Sequence, residues 1–377
     1  MIKLLTVIGA RPQIIKAAAV SRAIAKHPDI QEVILHTGQH YDENMSDVFF
    51  RELGIPEPDI NLHVGSGTHG EQTAKMLEGI EKVLNGDRFD GVILYGDTNS
   101  TLAGAVAAGK IHVPVFHIEA GLRSFNMAMP EEINRIVCDQ LSTILFAPTQ
   151  TAVDNLTREG FFAEQKRFAD GSTQRVVKSG DVMFDNSMFF AELAAQKSDV
   201  MNRLGLEDKQ FVLATIHRPA NTDNADNLSA IFRALMDLHI KVVLPLHPRT
   251  RKMLPQKLDK ELLARIEQCP DLTITEPAGF FDIIELERHA RVVMTDSGGV
   301  QKEAFFFETP CVILRPETEW VEIVNAGAGI IADADYARII AAYNELNGKT
   351  VHFPKLFGDS HAADAIVMEI RNSLTNA

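Results

Sequence analysis

A chain of 377 residues, 45% hydrophobic and 23% charged, is too long for one ordinary core and reads as a globular protein of two domains. Its formal net charge of −14 excludes a basic nucleic-acid surface, so no nucleic-acid partner is expected and an anionic ligand must be held by local cations. No apolar stretch approaches bilayer-spanning length and the start shows no signal-peptide pattern, which argues against a membrane role and for the cytoplasm.

The first apolar run, Leu4-Leu5-Thr6-Val7-Ile8, is strand-sized. It leads into Gly9-Ala10-Arg11-Pro12-Gln13-Ile14-Ile15-Lys16, a glycine turn with a proline suited to a first helical turn, and with Arg11 and Lys16 within reach of one spot. This is neither a GxGxxG nor a Walker loop, so its phosphate signal is weak by itself. The strand-like runs Val33-Ile34-Leu35, Val92-Ile93-Leu94-Tyr95, Val113-Pro114-Val115-Phe116 and Ile144-Leu145-Phe146 follow, alternating with helical patterns. Two of them end in Gly96-Asp97-Thr98 and in His117-Ile118-Glu119-Ala120-Gly121-Leu122-Arg123. Strand residues two apart share a face, so His117 and Glu119 are expected to point the same way. Metal ligation is a rival use of that pair, but no third ligand is evident and no metal is expected. Pro130 opens a helix in Met129-Pro130-Glu131-Glu132-Ile133-Asn134-Arg135, where a favourable dipole contact is reason enough for one of the two glutamates.

A second series comprises Val176-Val177, Phe211-Val212-Leu213-Ala214, Val242-Val243-Leu244, Leu272-Thr273-Ile274, Val292-Val293-Met294 and Cys311-Val312-Ile313-Leu314. Continuous apolar strands alternating with helices predict parallel sheets covered on both faces. The fold class is therefore α/β, with two doubly wound, Rossmann-like domains facing a cleft. The mostly polar stretch Glu164 to Gln174 reads as a surface crossing, which places the domains at 1–175 and 176–359. Helical spacing of Ala365, Ile366, Met368 and Ile370 predicts a packed helix from Ala362 to Leu374, in a segment 360–377 that returns to the first domain. Cys138, Cys269 and Cys311 show no paired spacing and read as core residues.

Ligands of open parallel sheets sit beyond the carboxyl ends of the strands, and Arg11, Lys16, Arg123, Arg135, Arg218, Arg249 and Arg251 all lie in or beside such loops. Ile216-His217-Arg218-Pro219 and Leu246-His247-Pro248-Arg249 are two of them. Beside Arg218, His217 resists a second positive charge and can serve as a neutral base or donor; a histidine capping a loop is the plainer alternative. Last comes Asp296-Ser297-Gly298-Gly299-Val300-Gln301-Lys302-Glu303. Each glycine costs a helix roughly 1 kcal/mol relative to alanine, so the pair needs a reason. Either the turn is tight with Ser297 as N-cap, or bare backbone admits an anion to the unpaired N–H groups.

Taken together, Gly9-Ala10-Arg11-Pro12, Gly96-Asp97-Thr98, His117 through Arg123, Pro130 through Arg135, His217-Arg218 and Asp296 through Glu303 resemble the non-hydrolysing UDP-N-acetylglucosamine 2-epimerases in order and spacing over nearly the whole chain. The resemblance implies a two-domain fold of the glycosyltransferase B type and inversion of C2 in a UDP-linked 2-acetamido sugar, without a redox or other cofactor. UDP leaves C1 as the C2 proton is removed, giving a 2-acetamidoglucal, and adds back with protonation on the other face. It also implies a homodimer and a place in the supply of surface polysaccharide precursors.

Asp97, Glu119, Glu131 and His217 match the family's catalytic positions, with base and acid unassigned among them. Arg11, Lys16, Ser297, Gly298 and Gly299 are implied for the diphosphate and nucleotide, Glu303 for the ribose hydroxyls and Phe280 beside the uracil. Arg123, Arg135, Arg218, His247 and Trp320 complete the implied UDP-sugar set. Gln39-His40-Tyr41-Asp42 and Ser66-Gly67-Thr68-His69 keep the Gln-His of a second-substrate site but lack its later arginine, which speaks against activation by a second UDP-N-acetylglucosamine. Thr318-Glu319-Trp320-Val321-Glu322 stands where acetylglucosamine enzymes carry Glu-Arg-Pro-Glu. With Gly9 to Gln13 and Thr37 to Asp42, it resembles the branch acting on UDP-2,3-diacetamido-2,3-dideoxy-glucuronate. Trp320 reads equally as a packed aromatic and as a sugar-stacking one. A glycosyltransferase of the same fold and a non-catalytic nucleotide-sugar sensor are the competing readings, and the retained carboxylates and His217 speak against both.

Overall fold

The computed structural model describes residues 1–39, 57–169 and 171–375. His40, Tyr41 and Asp42, singled out above, lie outside the described residues. The chain divides into two compact units, Met1–Asn186 with Lys355–Ala377, and Ser187–Pro354. Among the described residues no helix is long and apolar enough to cross a membrane.

The first unit carries β1 Ile2–Ile8, β2 Ile30–His36, β3 Ile60–Asn61, β4 Gly91–Tyr95, β5 Val115–Ile118, β6 Ile144–Ala147, β7 Lys166–Arg167 and β8 Thr173–Lys178. They form an 8-stranded sheet of order β3-β2-β1-β4-β5-β6-β8-β7. The second unit carries β9 Phe211–Thr215, β10 Lys241–Pro245, β11 Leu272–Thr275, β12 Val292–Thr295, β13 Cys311–Ile313 and β14 Gly329–Ile331, a 6-stranded sheet of order β11-β10-β9-β12-β13-β14. β1 and β9 are buried on both faces, as their mostly apolar runs require: Leu4, Leu5, Val7 and Ile8, and Val212, Leu213 and Ala214, are all at most 1% exposed. Winding reverses between β1 and β4 and between β9 and β12, and the loops leaving those strands diverge there. Gly9 and Gly96 stand at the first divergence, His217 and Asp296 at the second.

Three details differ from expectation. Val176 and Val177 do not open the second series; they lie in β8, which pairs in parallel with β6 of the first sheet. A short β-branched run does not specify its sheet, and here Val176 joins Leu145, Ala147, Leu156 and Phe161 in one buried cluster. The stretch from Glu164, expected to be a surface crossing, contains β7, antiparallel to β8, so the first sheet is not wholly parallel. β3 and β14 are too short to show a pattern in sequence.

The last helix, Ala362–Thr375, buries Ala362, Ala363, Ile366, Val367 and Ile370 and packs on the helix Arg11–Ile24. Asp185 accepts the Ala362 and Ala363 N–H groups at 3.1 and 2.7 Å, satisfying two orphan donors of its first turn. Cys138 and Cys311 are buried free thiols, and Cys269 is half-buried.

Candidate active site

In the first unit the turn after β4 is built around a close approach. Gly96 has φ +61°, and a Cβ there would stand 3.2 Å from Glu119 Oε2 and 3.3 Å from Lys16 Nζ. The missing side chain leaves room for an ion pair between Lys16, on the helix Arg11–Ile24, and Glu119, whose side chains are 14% and 12% exposed. Glu119 follows β5 with φ +71°, left-handed backbone that costs a non-glycine residue on the order of 1–3 kcal/mol. Strain of that kind persists where surrounding structure imposes it, and it tends to cluster at functional positions. Burial works against the Lys16 ammonium, but Glu119, Asp97 and Asp181 outweigh it and raise its pKa, so Lys16 is a permanent cation among carboxylates.

The helix Pro130–Leu141 positions Asp97. Arg135 donates from Nε and Nη2 to Asp97 Oδ2 at 3.0 and 2.6 Å and from Nη1 to Glu132 Oε2 at 2.7 Å. Asn134 Nδ2 donates to the Asp97 carbonyl at 2.9 Å. The two glutamates divide their roles. Glu132, 1% exposed, accepts the Ser124 and Phe125 N–H groups at 2.9 and 2.8 Å. Burial opposes its charge, but those donors and Arg135 hold the carboxyl below its usual range. Glu131 is exposed in the first turn of the same helix.

Two expectations change here. The His117 ring is wholly buried, with Nδ1 2.7 Å from Asp139 Oδ1 and Nε2 2.8 Å from the Gly96 carbonyl, so both nitrogens are engaged and neither is open to a metal. Burial disfavours its imidazolium, but Cys138 and Asp139 favour it more, and the pKa lies well above the ordinary value. Strand alternation with Glu119 does not apply, because β5 ends at Ile118 and Glu119 has turned left-handed. Arg123, expected on the UDP-sugar, is 1% exposed and committed: Nε and Nη2 donate to Glu159 at 2.7 Å, Nη2 to Asp139 at 2.7 Å and Nη1 to the Leu122 carbonyl at 2.8 Å. It braces the loop instead of presenting a charge.

Gln13 and Asp139 escaped the sequence reading. Gln13 Oε1 accepts the Gly9 and Ala10 N–H groups at 2.9 and 3.2 Å, and its Nε2 donates to the Tyr95 carbonyl and Thr101 Oγ1 at 2.9 and 3.0 Å. The Gly9 and Ala10 backbone donors are thus occupied, and Gly9 instead makes room for the hydroxyls of Thr37 and Ser100. Arg11 is exposed at the first helical residue, whereas Lys16 is committed to Glu119. The only signal for Gln13 was its place three residues after the N-cap, the capping-box position. Asp139 had none.

In the second unit Asp296, wholly buried, ties the end of β12 to the loop after β9. It accepts the His217 and Arg218 N–H groups at 3.1 and 3.0 Å and Asn221 Nδ2 at 3.0 Å. Burial lowers the His217 pKa; Asp296 opposes it, His247, whose ring lies 5.4 Å away, and Arg218 add to it, and the net direction is down. His217 is therefore neutral near pH 7, and if catalysis uses that form, kcat/KM should hold until the pH falls below about 6.5, the ordinary histidine value. A pH profile with an acid limb at or above that value would contradict the role. His247 is exposed, and its Nδ1 accepts the Arg249 N–H at 3.1 Å. Arg249 is spent on Asp223 at 2.7 Å, and Arg251 on Glu276 at 2.8 Å.

Ser297 caps the helix Gly298–Phe306, its Oγ accepting the Val300 N–H at 3.5 Å. The two glycines have separate reasons. A Cβ on Gly298 would stand 2.7 Å from Glu319 Oε1, and the Gly298 carbonyl accepts the Trp320 Nε1–H at 2.9 Å. Gly299 is exposed, with only Ser297 Oγ, at 3.8 Å, near its missing side chain. Gly298 serves packing and Gly299 open approach. Lys302 Nζ lies 4.4 Å from the Trp320 ring centroid, so the half-buried ring carries a cation on one face. Phe280 opens the helix Phe280–His289 and meets Phe190 edge-on at 5.1 Å. Glu303 lies in the second turn of the Gly298 helix; burial raises its carboxyl pKa against the opposing Lys302.

A family model described as UDP-N-acetylglucosamine 2-epimerase matches residues 22–371. The UDP-2,3-diacetamido-2,3-dideoxy-D-glucuronate 2-epimerase of Pseudomonas aeruginosa is 48% identical over 368 residues, 97% of this chain and 98% of that one. The solved structure of UDP-GlcNAc 2-epimerase from Methanocaldococcus jannaschii superposes with a TM-score of 0.86 at 37% identity, covering 98% of this chain and all of that one. The same archaeal enzyme in complex with UDP-GlcNAc and UDP superposes with a TM-score of 0.76 at 38% identity and covers the same share of this chain, 98%.

Proposed function

The chain belongs to the UDP-N-acetylglucosamine 2-epimerase family, and on that premise we propose that it inverts C2 of UDP-2,3-diacetamido-2,3-dideoxy-glucuronate by eliminating and re-adding UDP. Removing a weakly acidic C2 proton needs a positioned base, expelling UDP needs donors on the diphosphate, and reprotonation needs an acid on the opposite face. On the first unit Glu119 and Asp97 are the ordered carboxylates, held by Lys16 and Arg135, with Glu131 exposed nearby in sequence. The second unit brings a neutral His217 and the Ser297–Gly299 turn, whose first-turn N–H groups suit a phosphate.

The observation that carries the reading is the strained, ion-paired Glu119 beside Gly96 and Asp97. Acid–base chemistry needs such a placed carboxylate, whereas a sensor of UDP does not. The uronate substrate rests on the 48% identical relative and on the Thr318 to Glu322 segment. UDP-N-acetylglucosamine is the second reading, favoured by the archaeal enzyme solved with that sugar. A homodimer is part of the same proposal, and a monomeric sedimentation coefficient would remove it.

The test is incubation in deuterated water with each UDP-sugar while the C2 proton is followed by NMR. Deuterium at C2 with a manno product from the diacetamido-uronate is the expected result. Exchange with UDP-N-acetylglucosamine alone reassigns the substrate. No exchange with either returns a glycosyltransferase or sensor role.

A further inference from the structure

The segment after β13 is strapped across the start of the Gly298 helix. Trp320 donates from Nε1 to the Gly298 carbonyl at 2.9 Å, and the Thr318 hydroxyl bonds Gln301 Oε1 at 2.6 Å. Between them, the Glu319 carboxylate rests on the bare face of Gly298, its Oε1 2.7 Å from where a Cβ would stand. Its other oxygen accepts from Arg315 Nη1 at 2.7 Å, and Oε1 lies 4.0 Å from Arg218 Nη2. An anion flanked by two arginines at a helix start already has the surroundings of a bound phosphate. This anion belongs to the chain itself, on a side chain 48% exposed and so able to swing away.

We propose that Glu319 is a displaceable internal anion that competes with the ligand's diphosphate for Arg218, Arg315 and the space beside Gly298 that its own carboxylate fills. The proposal rests on the reading of the Ser297–Gly299 turn as the diphosphate site. It adds Arg315 to the phosphate-binding cations and assigns Glu319 a regulatory, not a catalytic, part. Two like charges cannot share that position, so binding proceeds only from the fraction of molecules in which Glu319 has moved, and apparent affinity falls by that fraction. After displacement the released arginines face the incoming phosphates. Product release reverses the exchange, with Glu319 returning as the epimerised UDP-sugar departs.

Affinity for UDP, UMP and uridine, measured by calorimetry on the full chain and on Glu319→Gln and Glu319→Ala, tests this. Glutamine keeps the shape and the Arg315 hydrogen bond but not the charge. Both variants should bind UDP about tenfold tighter, equivalent to about 1.4 kcal/mol, and uridine with unchanged affinity. UMP should fall between them. Equal or weaker UDP binding in both variants overturns the proposal, as does an equal gain for uridine, since the effect would then not act on phosphate. If the unaltered chain binds no UDP, the diphosphate site itself fails, a result distinct from the other two.

Discussion

Glu119→Gln is expected to lower turnover by about 10³-fold while UDP affinity stays within a few-fold, the magnitude typical of losing a placed proton-transfer group. Glutamine fills the same volume beside Gly96 and still reaches Lys16, so the loop keeps its form and only the charge and the proton affinity go. Steady-state kinetics with UDP calorimetry checks this. Turnover within threefold of the unaltered chain would remove Glu119 from the chemistry. Glu119→Gly separates strain from charge. Both variants lack the Lys16 ion pair; glycine relieves the left-handed backbone but gives up the glutamine's contact with Lys16, and the relief is expected to leave the glycine variant more stable by about 1 kcal/mol. Equal urea midpoints would mean that relief of φ +71° gains no more than the lost Lys16 contact costs.

The second large effect lies away from any substrate. Asp139 is wholly buried and receives His117 Nδ1 at 2.7 Å, Arg123 Nη2 at 2.7 Å and the Gly121 N–H at 3.2 Å. Asp139→Ala leaves a buried imidazolium and a buried guanidinium short of their anion, which costs about 3–5 kcal/mol in comparable pairs. The unfolding transition of the first unit should shift accordingly in urea; a loss below about 1 kcal/mol would show that the network relaxes around the gap. The pH dependence follows from His117. Its folded pKa is raised, so its contribution is fully present below the unfolded value of about 6.5 and is lost as pH rises through the higher folded value. Stability of the unaltered chain should therefore fall on the alkaline side. Asp139→Ala, having lost the pair, should show less of that fall.

Asp139 and Arg123 mark where residue type ceased to inform. An arginine after a strand is equally suited to an anionic ligand and to a neighbouring carboxylate, and only the fold brings Glu159 and Asp139 to it. The glycine pair shows the same limit at finer grain. Its unusual composition was visible, yet one glycine answers a Glu319 carboxylate some twenty residues away and the other faces open space. The Val176 strand was visible too, but its sheet was not, because sheet membership is decided by pairing with Ile144 to Ala147 and not by the strand's own residues.

From its sequence alone the protein was legible as two α/β units with their chemistry-bearing residues after the strands. That much is local: apolar runs set the strands, glycine and proline set the turns, and side-chain identity lists the charges available. Partnership is not local. Tertiary structure alone decided that Lys16 and Arg135 orient Glu119 and Asp97, that Gln13 occupies the Gly9 and Ala10 donors, that Asp296 carries the His217 loop, and that Glu119 stands in left-handed backbone. The reason is physical: a buried polar group must find its partner wherever folding has put one, and that partner is commonly tens of residues away in the chain.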